Sequence, residues 1–199
     1  MKELKYTSSI KDMPLMFLEM KKTAILLCEG KTDQEILSMS IEENIYQLDK
    51  EKRRRDTSLK MLKRLSTLRM PLIKKIVDGT TDEGKLIAFI ALMKSDRLVH
   101  EYMLDVYADK ADEDEINDSE FMQFIDRLAA NSETAANWKS DTLKNINTKL
   151  KNILCDTGLA KRTKTALTVI KPYVDSEFLS ILDGDDWVYA KAVLKEGGI

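Results

Sequence analysis

Apolar residues recur at helical spacing along most of the chain, and short polar or glycine-containing breaks divide that pattern into a succession of helices. Leu15, Leu18, Ile25 and Leu26 form a first stripe, with Asp12 as its expected cap, Pro14 suited to its first turn and Gly30 as its stop. Thr32 with Glu35 spells a capping box ahead of Ile36, Leu37 and Ile41, which predicts a second, shorter helix. Residues 44–49 connect it to a long third helix over residues 50–68. That helix stops before Pro71, because the residue preceding a proline disfavours helical dihedrals. Further helices are predicted over 71–77, 82–94, 96–108, 119–130 and 141–155, the last ended by Gly158. The acidic stretch 109–118 reads as a loop. Alternating polar and β-branched residues in KRTKTALTVIKP predict a small hairpin near 160–171, and two short helices follow over 176–182 and 186–195. The fold class is therefore all-α with one small β-hairpin. Residues 1–70 form a helix-turn-helix-like N-terminal part; residues 71–199 form a helical bundle with a small C-terminal extension, the whole packed as one compact unit.

The third helix decides the functional reading. At about 100° per residue, Leu59, Met61, Leu62, Leu65 and Leu68 occupy one half of its wheel. Arg53, Lys60 and Arg64 fall within roughly 40° of one another on the other side, flanked by Lys52 and Lys63. Such a helix presents a core face and a cationic face. Charge runs are usually solvated surfaces, but here few acids stand at the spacing that would make an ordinary Glu/Lys-laced helix.

Composition supports helices and locates the charge. The chain has 199 residues, 43% hydrophobic and 33% charged, with only 7 Gly and 3 Pro, too few for a many-turned sandwich or barrel. A net charge of -2 excludes a global polycation, so any nucleic-acid binding depends on segregation of charge. Residues 50–75 carry eleven basic side chains against two acidic, a net +9; residues 105–120 carry eight acids against one lysine, a net -7; residues 139–164 carry seven basic against two acidic, a net +5. Cys28 and Cys155 are too few for a disulfide framework or a zinc site. The N-terminal residues lack the apolar core of a signal peptide and no apolar run approaches a membrane span, so a cytoplasmic protein is expected.

Candidate chemistry is refused on specific grounds. Gly79-Thr80-Thr81-Asp82-Glu83-Gly84-Lys85 has the G-x-x-x-x-G-K spacing of a phosphate loop, but Leu86 stands where a magnesium-binding Ser or Thr is needed. The segment before it also reads as a helix, not a buried strand. His100 is the only histidine, and the acids at 112–115 lack the glycine and ligand spacing of a calcium loop. No serine or cysteine has a nucleophile's setting. The expectation is a chain with no catalytic residues, no metal, no cofactor and no small-molecule substrate.

What remains is phosphate binding. Arg53, Arg54, Arg55, Lys60, Lys63 and Arg64 are the expected contacts to duplex DNA, with Lys144, Lys149 and Lys151 as a second strip. Aromatics are sparse in the basic regions, Tyr46 and Trp138 being the exceptions, and this disfavours stacking on single strands. About six neutralised phosphates would give log affinity a slope near -5 against log salt.

Several residues taken in order carry a family resemblance: Tyr6-Thr7-Ser8; Glu43-Asn44; the helix ending Lys63-Arg64-Leu65-Ser66-Thr67-Leu68; Ala136-Asn137-Trp138-Lys139-Ser140-Asp141-Thr142-Leu143; Ile153-Leu154 with Gly158-Leu159; and Lys171-Pro172. Their order and spacing resemble the BrxA family, accessory components of BREX bacteriophage-exclusion loci. The resemblance implies a small helical protein with a core similar to the NusB antitermination factor. It also implies a DNA-binding role beside other BREX components in a defence system that methylates host DNA and blocks phage replication. None of these residues is catalytic. A protein-interaction scaffold and an RNA-binding NusB-like protein are the alternative functions.

Overall fold

The computed structural model describes residues 4–194, and its chain divides into two compact units. One comprises residues 15–95; the other joins residues 4–14 to 96–194. The division falls after residues 14 and 95.

The first unit is five helices: α1 (Phe17–Cys28), α2 (Asp33–Glu42), α3 (Glu51–Leu65), α4 (Met70–Asp78) and α5 (Thr81–Ser95). Helix α5 is its core. Residues 86–93 are all buried, as a helix apolar around its whole circumference must be, and α1, α3 and α4 pack on it. Gly84 lets Phe17 of α1 approach closely; a Cβ there would sit 3.1 Å from the Phe17 ring.

Local chemistry sets the boundaries. Thr32 and Glu35 form the predicted capping box, with Thr32 N–H donating to Glu35 Oε2 at 2.7 Å and Glu35 N–H to Thr32 Oγ1 at 3.2 Å. Gly30, at φ +83°, closes α1 in a Schellman arrangement, its N–H and that of Lys31 returning to the Leu27 and Leu26 carbonyls. The phosphate-loop spacing resolves as a second capping box, Thr80 N–H donating to Glu83 Oε2 at 2.8 Å while Lys75 pairs with Glu83 at 3.0 Å. The beginning of α1 differs from expectation. Asp12 does not cap it; the helix starts at Phe17 behind Met16 in the left-handed region, and residues 9–11 form a separate 3₁₀ turn. Its buried stripe is Met20, Thr23 and Ala24, whereas Leu18 is 71% exposed.

The second unit contains α6 (Arg97–Tyr102), which continues as a π-turn through Tyr107, then β1 (Glu115–Ile116), α7 (Asp118–Asn131), α8 (Glu133–Ala136), α9 (Ser140–Asp156), β2 (Ala160–Arg162), β3 (Leu167–Val169), α10 (Ser176–Ile181) and α11 (Asp186–Lys191). The predicted hairpin is β2–β3. The acidic stretch expected as a loop supplies a third strand, so the antiparallel sheet runs β1-β3-β2 with Ile116 opposite Leu167 and Lys161 opposite Thr168. Buried Tyr107 anchors the hairpin base, its hydroxyl lying 2.6 Å from the Ile170 carbonyl and 3.1 Å from that of Leu159. At the N-terminal end, Tyr6 donates to Glu101 Oε2 at 2.6 Å while the Arg97 guanidinium lies over its ring. The fold is mostly helical with one small sheet; the sequence-predicted residues past 194 lie outside the described residues.

His100 is structural. Its ring lies 4.5 Å from that of Tyr189, and its Nε2 is buried without a hydrogen-bond partner. Burial holds its pKa below the ordinary value, against a smaller upward pull from Glu101. The folded value being depressed, its contribution to stability is complete above about pH 6.5 and declines as pH falls through the folded value. Urea unfolding should therefore show stability falling below about pH 6.5, a fall that is blunted in His100→Phe.

Candidate nucleic-acid interface

Helix α3 buries Thr57, Ser58, Met61, Leu62, Arg64 and Leu65. Small Thr57 and Ser58 let neighbouring helices approach, and Ser40 of α2 donates to the Arg54 carbonyl at 2.9 Å. The face opposite this set is solvent, and along it stand Lys52, Arg55, Leu59 and Lys63, all exposed. Steps of three, four and four residues keep these side chains in register along one side of the helix. At 1.5 Å per residue, Lys52 and Lys63 are separated by roughly 16 Å along the axis and Arg55 and Lys63 by about 12 Å.

Several expected contacts lie elsewhere. Arg64 is fully buried, and its Nη1 donates to the Leu15 carbonyl at 2.8 Å, tying the last turn of α3 to the chain entering α1. It cannot meet an external phosphate. Arg54 turns back on the α2–α3 connection, Nε donating to the Leu48 carbonyl at 2.6 Å and Nη1 to that of Ile41 at 3.1 Å. Asn44 and Gln47 in that connection adopt positive φ, and Asn44 Oδ1 accepts from Leu48 N–H at 2.8 Å. Arg53 and Lys60 are half-buried at the margins of the exposed row. Leu59, expected in the core, is 46% exposed in the middle of it. Tyr46 is buried, its hydroxyl 2.7 Å from Thr23 Oγ1, so it offers no stacking surface.

In the second unit, Lys144 is exposed on α9 and Lys149 is half-buried. Lys151 is committed: its ammonium lies 2.6 Å from Asp118 Oδ1, which also accepts from Asn147 Nδ2 at 2.6 Å. Hydrogen bonding to Lys151, then to Asn147, holds the Asp118 carboxyl below the usual carboxylate range. The acids of 105–120 are likewise partly spent within the unit: Lys110 pairs with Glu120 at 2.6 Å, and Asp112 accepts from Lys171 N–H at 3.0 Å. Among the described residues, neither Lys52, Arg55 nor Lys63 has an ion pair, and no cluster of three or more metal-ligating side chains occurs. No helix among them is long and apolar enough to cross a membrane.

Sequence reasoning missed Lys52 as a full member of the row. Its signal was the spacing 52, 55, 59, 63, obscured because Leu59 was assigned to the core. Beside Lys63, a groove of 510 Å³ runs between α2 and α3, lined by Asp33, Gln34, Leu37, Leu59, Leu62, Lys63 and Ser66.

Fold and surface together define a mostly helical protein with one small sheet and, on α3, three exposed cations, Lys52, Arg55 and Lys63, that make no ion pair among the described residues. The chain superposes on a crystal structure of an uncharacterized protein from Magnetospirillum magneticum with a TM-score of 0.79, covering 96% of this chain and 98% of that one at 21% identity, a likeness of fold. It belongs to the BrxA family, whose sequence model matches residues 4–185. A curated relative, the BREX protein BrxA of Bacillus cereus strain H3081.97, is 34% identical over 176 residues, spanning 87% of this chain and 88% of the relative.

The different uses of these cations are separable by mutation. Arg64→Ala should lower stability by about 2–4 kcal/mol through the loss of a buried, hydrogen-bonded charge. Arg54→Ala should cost about 1–3 kcal/mol by leaving carbonyls of the connection without donors. Lys63→Ala should stay within about 0.5 kcal/mol of the parent, as exposed substitutions do. Urea denaturation of the three variants checks this order.

Proposed function

We propose that this chain is a non-enzymatic, duplex-DNA-binding accessory protein of a BREX phage-defence system, acting beside other BREX components. Family membership supports the setting, and one structural observation supports the binding: Lys52, Arg55 and Lys63 stand in line on α3 with no carboxylate satisfying them. The roughly 12 Å between Arg55 and Lys63 along the helix axis is about the width of the major groove. The two can address phosphates on its opposite edges.

Helix α2 takes a lesser part than the first helix of a helix-turn-helix, which crosses the phosphate backbone. Asp33, Glu35, Glu42 and Glu43 are all exposed on or beside it and repel a polyanion. Contact falls to α3, with Lys144 and Lys149 of α9 as the second strip. Phosphate contacts outnumber base-reading groups, so sequence preference is low. RNA binding, which the NusB likeness raises, is the alternative nucleic-acid reading. The scaffold reading draws on Leu18 and Leu59, large apolar side chains left exposed on the first unit.

Anisotropy titration of a duplex between 50 and 300 mM salt tests the proposal. The parent should show a steep salt dependence, and Lys52→Ala, Arg55→Ala and Lys63→Ala together should flatten the log–log slope by roughly 2.7, about 0.9 per lost phosphate contact. Charge reversal of the three should abolish binding while leaving assembly with other BREX proteins intact. A salt-independent parent removes the DNA reading. Assembly lost with duplex affinity unchanged supports the scaffold, and preferential displacement by structured RNA supports the RNA reading.

A further inference from the structure

The β2–β3 hairpin is the most cationic exposed segment that the binding reading leaves unused. Residues 161–165, Lys-Arg-Thr-Lys-Thr, are all exposed, and no acid occurs between Asp156 and Asp175. Lys161 and Lys164 have no hydrogen bond or ion pair through their side chains among the described residues. Arg162 meets only a neutral amide, Nη2 donating to Asn152 Oδ1 of α9 at 2.7 Å. Lys171 at the hairpin's foot makes the contrast: its ammonium donates to the Tyr107 and Ala108 carbonyls and lies over the Tyr107 ring. Lys171 holds the hairpin down, whereas Lys161 and Lys164 hold nothing among the described residues and Arg162 reaches only Asn152.

The hairpin is also held rigidly enough to present them. Its turn is closed by Thr163, whose N–H donates to the Ala166 carbonyl at 3.0 Å and whose Oγ1 accepts from Ala166 N–H at 3.0 Å. Leu167 and Val169 anchor β3 in the core, β1 buttresses its far side, and the Tyr107 hydroxyl fastens both ends of the base. The connectivity α6, β1, α7, the short α8, α9, β2, β3, with β3 central, sets the hairpin immediately after α9 and against it. This is the order of a winged-helix unit, in which the hairpin extends the surface of the helix preceding it. The α9 residues Asn145 and Thr148 are exposed, and with Asn152 they lie on one side of that helix, giving it a polar face next to the cationic tip.

We infer that the β2–β3 tip is a wing that grips the phosphate backbone of duplex DNA through Lys161, Arg162 and Lys164, with the Arg162–Asn152 bond fixing its angle to α9. This rests on the duplex-binding reading above and adds to it a contact surface on the second unit. The occupant is a polyanion because the tip offers only ammonium, guanidinium and hydroxyl donors. It is a duplex because no aromatic side chain stands in residues 161–165 on which an unpaired base could stack.

The test is the full-length chain with Lys161→Gln, Arg162→Gln and Lys164→Gln combined, titrated with the same duplex across salt, alongside the α3 triple variant. The wing variant should keep the parent's circular dichroism and melting temperature, lose affinity equally for unrelated sequences, and flatten the salt slope by roughly 2.7. Amine acetylation read by mass spectrometry should show Lys161 and Lys164 shielded when duplex is bound, with Lys171 unchanged. Parent-like affinity and slope in the wing variant, or equal acetylation of Lys161 and Lys164 with and without duplex, overturns the wing while the α3 contact stands. If the unaltered chain binds no duplex, both readings fall together.

Discussion

The roll of α3 about its own axis determines which cations this protein can offer, and the burial of Arg64 fixes that roll. A guanidinium stays charged in any protein environment, so enclosing it is costly unless donors find acceptors. The Leu15 carbonyl is one such acceptor, and it lies where the chain turns into α1. Rotating α3 to bring Arg64 to the surface would drag Thr57 and Met61 outward with it, because both are buried on the same side. The exposed row Lys52, Arg55 and Lys63 is the geometric remainder of that choice.

Much of the architecture was legible in the chain. Capping chemistry is local, and Thr32–Glu35 and Gly30 gave boundaries that the structure keeps. The hairpin was visible because alternating β-branched residues leave few other options. Its third strand was not: β1 has only two residues, in an acidic stretch whose pairing with β3 is a tertiary event. The start of α1 misled for a different reason. Asp12 and Pro14 are good helix-opening residues, yet the chain uses them around a 3₁₀ turn and begins the helix beyond Met16.

The site was half legible. A wheel of α3 weighs every leucine alike, so Leu59 joined the core set and Arg64 the surface set. The mean direction of Met61, Leu62, Leu65 and Leu68 lies about 90° from Arg64 and about 130° from Leu59, at 100° per residue. Small polar residues supply the rest of the information. Thr57 and Ser58 face inward because helices approach closely there, and hydropathy alone scores them as solvent positions. An arginine in a last turn can likewise bury its stem and cap carbonyls, which charge counting cannot register.

Charge blocks must be discounted by what the fold consumes. In the +9 block, Arg64 and Arg54 serve the backbone of the first unit, and Lys75 pairs with Glu83. In the +5 block, Lys151 serves Asp118. The -7 block is drawn down in the same way, with Asp118, Glu120 and Asp112 all accepting from groups within the second unit. The cations left over are not those with the highest local density in the sequence. They are those that make no ion pair among the described residues: Lys52, Arg55 and Lys63 around Leu59, and Lys161 and Lys164 around Thr163. A phosphate backbone favours that arrangement, since a cation already paired with an internal carboxylate must give up that pair to meet a phosphate. Net charge near zero is thus compatible with polyanion binding, because the free energy of contact depends on which ions the fold leaves unpaired and on the face that carries them.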